Sequence, residues 1–357
     1  MRQLLGQRLF VLAAFALAAA ASGGYAQEAA RVVSPPGDAD RSWIEPSLLA
    51  AARQEGSVTI FASVNEEEAL PLWAIFERET GLKAEYVRGS DSQLIARILV
   101  EARAGKQTWD ILQNTGVSKI PREFLAPIDL PEARFAAFDT RGPNGLWHGV
   151  AANFGVPAYN TRLVDRAVLP KTYAEFLKHP EWAGRIAIDD SDGEWLAALY
   201  KHFGETEGAT LARDLASALK PVMVQGHLAL ARSVGSGEYA LALNNTLNLT
   251  ANLKLGGAPT DFWVLDPVVV YYNHLGVSAK APHPNAARLA ANFLLSEPAQ
   301  RQLASKGRIP TRRGIETNPP GLIAALDGKT IIPIQFDADE ESRWRRLFRD
   351  VMRGPPR

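Results

Sequence analysis

The chain has 357 residues, enough for about two domains, and its 46% hydrophobic and 22% charged residues are typical of a globular protein. A formal net charge of +0 without a basic stripe gives no sign of a nucleic-acid surface, so we expect no nucleic-acid partner. Cysteine is absent, and we therefore expect neither disulfides nor a lipid anchor on an N-terminal cysteine.

Residues 1–26 have the pattern of a secretory signal peptide. Arg2 and Arg8 form a positive segment, Leu9 to Ala21 is apolar, and small residues precede Ala26. The apolar segment is too short to span a bilayer as a helix. We predict cleavage after about Ala26, which leaves the mature protein free in the periplasm. Residues 27–55 are interpreted as a lead-in followed by a first helix.

Three short strands follow, and each is predicted to end in small polar residues. Ser63 and Asn65 follow the first strand, Ser90 follows the second, and Asn114 and Thr115 follow the third. In a βαβ arrangement the carboxyl ends of parallel strands meet at one sheet edge, where ligands bind. We predict that these side chains form a binding face; the alternative is that each merely caps a helix.

An acidic cluster follows the strand predicted at residues 185–188. It contains Asp190 and Asp192, and Ser191 is predicted to cap the next helix. Because the cluster holds more carboxylates than one helix cap needs, Asp190 or Asp192 is predicted to pair with a cationic ligand group. Trp195 is interpreted either as a flat wall of the site or as a core residue.

A second polar strand end comes after the buried run from Tyr239 to Leu243. Asn245 and Thr246 are predicted to lie at the ligand edge, although a simple turn is the alternative. The segment from Phe262 to Tyr272 is rich in β-forming residues and is predicted to return the chain to the first lobe. Its Tyr271 is a second candidate wall.

Motifs for an activated serine, a P-loop, a dinucleotide fold and a zinc protease are all missing from the sequence. The six histidines are scattered without metal-ligand spacing. We therefore predict no enzymatic turnover, no catalytic residue, no cofactor and no metal site.

Five segments resemble those of the family 1 extracellular solute-binding proteins of ABC importers, over about residues 56 to 315. They are Gly56-Ser-Val-Thr-Ile-Phe-Ala-Ser, Tyr159-Asn-Thr-Arg-Leu, Trp182-Ala-Gly-Arg-Ile, Gly237-Glu-Tyr-Ala-Leu-Ala-Leu-Asn-Asn and Ala281-Pro-His-Pro-Asn-Ala-Ala-Arg-Leu. The ferric-ion-binding branch is the most similar. This resemblance implies the α/β, two-lobed periplasmic-binding-protein fold of type II, in which two doubly wound α/β lobes are joined by two crossing strands. We assign residues 56–155 plus 270–310 to lobe 1, 160–265 to lobe 2, and 311–357 to a C-terminal helical segment packed on the lobes.

The resemblance also implies a receptor that closes on a small-molecule ligand and delivers it to an ABC permease in the inner membrane; we expect it to be a monomer. Iron-binding members carry adjacent tyrosines where this chain has Thr246-Leu247, often a histidine at Asn65, and a carboxylate at Thr115. Ferric ion prefers anionic oxygen ligands. Tyr271 and Tyr272 are adjacent and are the candidates to replace the tyrosine pair of the iron-binding members. Successive residues of a strand point to opposite faces of the sheet, however, so the two rings would not face the same site.

We therefore expect a small polar organic solute, with ferric or another metal ion as the alternative ligand. A ligand-sensing subunit of a membrane kinase is the alternative from another class. The charge of the solute stays open. The acidic cluster favours a cation, whereas the helix start after Ser90, with Arg97 nearby, favours a carboxylate or phosphate. Arg97 is also placed to pair with Glu101 four residues on.

Overall fold

A computed structural model describes residues 41–353, so the predicted signal peptide and the lead-in up to residue 40 lie outside the described residues. Helices and strands alternate along the described chain. The helices are α1 (Pro46–Glu55), α2 (Glu66–Thr80), α3 (Asp91–Arg103), α4 (Gly193–Phe203), α5 (Glu205–Leu219), α6 (His227–Ser236), α7 (Leu247–Leu255), α8 (Pro284–Leu295), α9 (Glu297–Ser305) and α10 (Ala338–Arg353). The strands are β1 (Ser57–Ala62), β2 (Lys83–Arg88), β3 (Ile111–Asn114), β4 (Leu125–Ala126), β5 (His148–Asn160), β6 (Ile186–Asp189), β7 (Val222–Val224), β8 (Leu241–Thr246), β9 (Thr260–Phe262), β10 (Val268–Ser278), β11 (Ile309–Pro310) and β12 (Ile331–Pro333).

One sheet runs through the described chain in the strand order β2-β1-β3-β10-β5-β8-β6-β7. The strands at each end pair in parallel, β1 with β2 and β3, and β6 with β7 and β8. The two long strands β5 and β10 pair antiparallel with each other in the middle. The short strands β4 and β12 pair with β10, and β9 and β11 pair with β5. The parallel groups are thus held together by the β5–β10 pair.

The start and end of the early helices follow from local chemistry. Ser90 and Gln93 form a capping box at α3, in which each side chain accepts a hydrogen bond from the other's backbone N–H. Helix α2 ends at Gly81, whose φ of 77° lies in the left-handed region and whose N–H donates to Glu77 O, as the sequence predicts.

Separate apolar cores lie on the two parallel groups of strands. One core packs Trp43, Trp73, Phe76 and Phe293 among residues of β1, α2 and α8. The second core packs residues of β6, β8, α4 and α5, and helix α10 adds Phe348 to it. A third cluster covers one face of the crossing strands and contains Tyr272.

Two local predictions need correction. Ser191 does not cap α4: its N–H and hydroxyl both donate to Asp189 Oδ1, and Asp192 stands at the N-cap position. Strand β8 runs three residues further than predicted, through Thr246, because backbone pairing with β5 continues past the apolar run.

None of the helices formed by residues 41–353 has the length and apolar character needed to cross a membrane.

Gly155 tests how tightly the crossing strands are packed. A Cβ at this position would lie 2.5 Å from both Asn244 Oδ1 and Val269 Cγ1. We expect Gly155→Ala to lower the free energy of unfolding by about 1–3 kcal/mol, because both neighbours are themselves buried and the added methyl group overpacks the junction. Gly235→Ala is the matched control. This glycine lies inside α6, and its added Cβ meets Ala258 Cβ at an ordinary 3.5 Å.

Urea unfolding of both variants measures the difference. The control should keep or gain up to about 1 kcal/mol from the better helix propensity of alanine. Equal stability of Gly155→Ala and the parent would show that the strand crossing is loosely packed.

Candidate functional site

The strand register gathers polar residues at the centre of the sheet. Gly155 of β5 lies opposite Thr246 of β8 on one side and opposite Val269 of β10 on the other. Two residues along, Asn153 pairs with Tyr271. The polar end of β8 is therefore brought next to the middle of β10, and the carboxyl ends of both parallel groups meet at this point.

A cavity of about 190 Å³ opens at this meeting point. Four of the predicted site residues line it, and they come from both parallel groups and from β10: Ser63, Thr115, Thr246 and Tyr271. The side chains that line it beyond the predicted set are Val64, Asn153, His227, Asn248, Leu249, Asn273 and Arg308. Arg308 is engaged in an ion pair with Glu68 at 2.6 Å. The rest of the polar lining consists of hydroxyls, amides and one imidazole.

A larger neighbouring cavity of about 720 Å³ shares Thr115, His227 and Tyr271 with the first, and we call the two together the cleft. Ser90 is the further predicted site residue in its lining. Its charged lining residues are Asp91, Lys119, Glu194, Glu341 and Arg345. Helix α10 thus closes one side of the cleft.

Three predicted amide side chains do not line the cleft. Asn65 Oδ1 accepts a hydrogen bond from the Arg88 guanidinium at 2.8 Å. Asn114 and Asn245 are fully buried, and each turns its oxygen back to a nearby backbone N–H, of Gly116 and Thr246 respectively. Each of these two oxygens is thus occupied by a local backbone hydrogen bond.

Trp195 is corrected from a cavity wall to a core residue. It is 1% exposed and packs edge-on against Tyr173, with ring centroids 5.8 Å apart. Asp190 lines a separate groove of about 360 Å³ beside Arg345, Arg349 and Arg353 of α10. Neither residue lies in the cleft.

Asp192 lies beneath the cleft, in a buried polar cluster that we call the acidic floor: Asp189, Asp192, His227 and Asn244. Asp192 Oδ1 accepts from Asn244 Nδ2 at 3.1 Å and lies 3.4 Å from His227 Nε2. His227 Nδ1 lies 4.0 Å from Asp189 Oδ2. The Oδ2 atoms of Asp189 and Asp192 have no hydrogen-bond partner in the described part of the chain.

Burial governs protonation in this cluster. It raises the pKa of Asp192 well above the ordinary value, and repulsion from Asp189 adds to that effect. It also lowers the pKa of His227, although Asp189 opposes the change. The pKa of Glu194, which lines the cleft above the floor, is raised by the same cause. These carboxylates bind protons more firmly than exposed ones do.

Tyr271 and Tyr272 lie in different surroundings, as strand alternation predicts. Tyr271 lines both cavities, its hydroxyl is 3.3 Å from Thr246 Oγ1, and its ring lies near-parallel to that of His227 with centroids 6.3 Å apart. Tyr272 also contributes to the lining of the larger cavity, but it is absent from the smaller one and packs in the third apolar cluster beside Phe138. Burial raises the pKa of Tyr271 and brings that of Tyr272 to about 12, so both phenols hold their protons.

His227, Glu194 and three amides, Asn153, Asn248 and Asn273, are among the lining residues that the sequence analysis missed. His227 begins α6 directly after Gly226, and this helix start was a usable signal. Asn153 and Asn273 lie inside long apolar strands, where a lone polar residue indicates contact with water or ligand.

Among residues 41–353, His, Asp and Glu side chains nowhere come together in a group of three that could hold a metal ion.

Residues 118–339 match the sequence model of a family described as bacterial extracellular solute-binding protein. The chain belongs to this family. It is a solute-binding protein of the ABC-importer type, as the sequence resemblance implied.

Curated relatives of the solute-binding protein include proteins named for iron. Iron uptake protein A1 of Synechocystis sp. is 26% identical over 288 residues, which are 74% of this chain and 78% of that protein. The Fe(3+)-binding periplasmic protein of Serratia marcescens is 27% identical over 194 residues, 53% of this chain and 56% of that protein. These are binding and uptake proteins by name.

Solved structures confirm the type II periplasmic-binding-protein fold. Iron-bound HitA from Pseudomonas aeruginosa has a TM-score of 0.67 at 23% identity, covering 83% of this chain and 99% of that one. AfuA from Actinobacillus pleuropneumoniae, with fructose-6-phosphate bound, has a TM-score of 0.68 at 19% identity, covering 84% and 99%. One fold thus serves an ion in one protein and a sugar phosphate in the other.

Asp192→Asn tests the protonation of the acidic floor. Above the ordinary Asp pKa of about 3.9 and up to the raised pKa of Asp192, the folded state binds more protons than the unfolded state. The free energy of unfolding therefore falls as pH rises through this window. Asparagine keeps the oxygen that accepts from Asn244 and has no proton to lose. We expect Asp192→Asn to melt above the parent at pH 8, and by less at pH 4.

Melting curves from pH 4 to pH 8 measure this difference. Asp214→Asn, which removes an exposed carboxylate on α5, is the control and should follow the parent at every pH. A gap between Asp192→Asn and the parent that stays constant with pH would mean that Asp192 titrates normally.

Proposed function

We propose that this solute-binding protein is a periplasmic receptor that captures a small polar organic solute in the cleft and delivers it to an ABC permease. The observation that carries the proposal is the lining of the smaller cavity. Hydroxyl and amide groups from both parallel groups of strands converge there, and apart from the paired Arg308 they are uncharged at neutral pH. A few placed polar groups in a concavity are the usual form of a small-solute site.

Capture by hinge closure is supported by where these groups come from. Ser63 and Thr115 follow β1 and β3, whereas His227 and Thr246 belong to the group formed by β6 to β8. We propose that residues 56–155 plus 270–310 and residues 160–265 are the two bodies that close on the solute, with β5 and β10 bending between them. A ligand held by both bodies favours the closed state because it makes all its contacts only there.

The remaining parts of the proposal rest on family and sequence. We infer export by cleavage after about Ala26, release into the periplasm without an anchor, and action as a monomer without turnover. The relatives named above are binding proteins, which supports a receptor in preference to an enzyme.

Ferric ion is the second candidate ligand, because the curated relatives are named for iron. In this chain Tyr271 is the one phenol that both cavities share, with His227 beside it. Ferric ion favours anionic oxygen donors, and the raised pKa of Tyr271 opposes formation of the phenolate. The neutral hydroxyls and amides of the smaller cavity suit an organic solute better.

A thermal-shift series separates the two candidates. The purified, ligand-stripped protein is melted with polar organic solutes and, in parallel, with ferric ion plus carbonate or phosphate. A solute that binds only the folded state adds about 2.7 kcal/mol of stability at a hundredfold excess over its dissociation constant. We expect the shift with an organic solute. A shift with ferric ion alone would reverse the choice of ligand.

Thr246→Val tests the cleft directly. Its hydroxyl lines the smaller cavity next to Tyr271, and valine keeps the shape while removing the hydrogen bond. With a stabilising solute in hand, we expect a loss of roughly two- to tenfold in affinity, the value of about one hydrogen bond. Thr250→Val is the matched control, because Thr250 is fully buried in α7 and its hydroxyl has no partner within the described chain.

Isothermal titration of both variants gives the two dissociation constants. The control should bind like the parent. Unchanged affinity in Thr246→Val would place the solute outside the smaller cavity.

A further inference from the structure

The charge of the solute is not fixed by the proposed function. The contacts made by the charged side chains that line the cleft indicate which charge the site prefers. The basic feature of the sequence, Arg97, is already engaged. Its guanidinium pairs with Glu101 at 2.7 Å and lies 4.4 Å above the ring of Phe61. The start of α3 is likewise filled by the Ser90–Gln93 capping box and by the carboxylate of Asp91 in the first turn. Neither Arg97 nor the start of α3 is therefore free to hold an anion.

The two cations that line the larger cavity share one carboxylate. Lys119 pairs with Glu341, and Arg345 pairs with the same carboxylate at 2.7 Å. Asp91 accepts hydrogen bonds from the backbone and hydroxyl of Thr115. Of the carboxylates in this lining, Glu194 is the one without a side-chain hydrogen bond from any residue between 41 and 353. Among the described residues this lining therefore holds three carboxylates, Asp91, Glu194 and Glu341, against two cations, and Glu194 is the carboxylate that no side-chain hydrogen bond occupies.

The acidic floor adds two further carboxylates to the surroundings of Glu194. Asp189 is fully buried and Asp192 is 3% exposed, yet one oxygen of each lacks a partner among the described residues. The ring nitrogens of His227 lie beside these two carboxylates, Nε2 at 3.4 Å from Asp192 Oδ1 and Nδ1 at 4.0 Å from Asp189 Oδ2. The imidazole ring lies near-parallel to that of Tyr271, and an aromatic ring is suited to contact a cation. Two buried carboxylates thus lie against one imidazole.

We propose that the solute carries a cationic group, an ammonium or guanidinium, which binds against Glu194 with the acidic floor behind it and Tyr271 beside it. This inference rests on the proposed receptor function and adds the chemical class of its solute. The cation supplies positive charge to a region in which the described carboxylates outnumber the cations.

Binding of the cation is coupled to proton release. Burial raises the pKa of Glu194 and Asp192, and a cation beside them lowers it again. The other charged and titratable groups that face this point are Asp189, Asp190, His227, Lys119, Glu341 and Arg345. Affinity for the cation therefore rises with pH through the range in which these raised pKa values lie, because more of the carboxylate is protonated at the lower pH.

A probe panel tests the charge class on the full mature chain. The cationic probes are spermidine, L-arginine and choline; the neutral probes are glycerol and D-glucose; the anionic probes are citrate and fructose 6-phosphate; ferric ion is added separately. We expect the largest thermal shift with a cationic probe and a weaker affinity for it at pH 5 than at pH 8. Tighter binding of a neutral or anionic probe than of every cation overturns the inference.

Glu194→Gln and Glu207→Gln form the matched pair of variants. Both remove one carboxylate by the same change, but Glu207 is exposed on α5, away from the lining of the cleft. We expect Glu194→Gln to lose roughly tenfold or more in affinity for the cationic probe and to lose its pH dependence. Glu207→Gln should bind within about twofold of the parent. Parent-like affinity of a folded Glu194→Gln contradicts the inference.

If Glu194→Gln does not fold, the pH dependence of the parent protein is the deciding measurement. An affinity of the parent for the cationic probe that stays constant or falls from pH 5 to pH 8 also contradicts the inference. Failure of the inference and failure of the receptor function give different results. Stabilisation by neutral, anionic or ferric probes without any cation leaves the receptor intact and removes only the charge assignment. No stabilisation by any class counts against both.

Discussion

The antiparallel pair of β5 and β10 is the constraint on which the rest of the structure depends. All thirteen residues of β5 are buried, and this strand pairs with β10 on one side and with β8 on the other. β10 in turn pairs with β3. The carboxyl ends of the two parallel groups are therefore brought to the same place, and the cleft forms there. Gly155 lies at this junction because a side chain would collide with Asn244 and Val269. The geometry of the binding site thus follows from one strand ladder.

Much of this architecture could be predicted from local sequence pattern. Apolar runs, turn residues and polar strand ends identified β1, β3, β6 and β8, and Ser63, Thr115 and Thr246 do line the cleft. The direction of a polar side chain could not be predicted in the same way. Asn114 and Asn245 bond to a backbone N–H one or two residues away, a local alternative open to any asparagine at a strand end. Only the folded backbone decides between that bond and a ligand.

The residues that were missed depend on contacts between distant parts of the chain. Asn153 and Tyr271 are paired across the crossing strands although more than a hundred positions separate them. His227 reaches Asp192 because β7 and α6 carry it to the carboxyl end of β6. Trp195 is the opposite case, a predicted site residue that lies outside the cleft. In the sequence, an aromatic residue beside an acidic cluster is equally consistent with a wall of the binding site and with the apolar core. Its packing against Tyr173 in the core of the second group decides for core.

The acidic floor connects the stability of the protein to its choice of solute. A buried carboxyl oxygen without a partner costs free energy, and asparagine at Asp192 would remove part of that cost. Such a cost is tolerated where the group is needed for binding, because stabilising a site often weakens its function. Asp189 raises the pKa of Asp192 in the protein without solute, and both carboxylates attract a cation when one enters. A solute with an ammonium or guanidinium group would satisfy Glu194 and relieve the floor beneath it, so binding and stabilisation share one electrostatic origin.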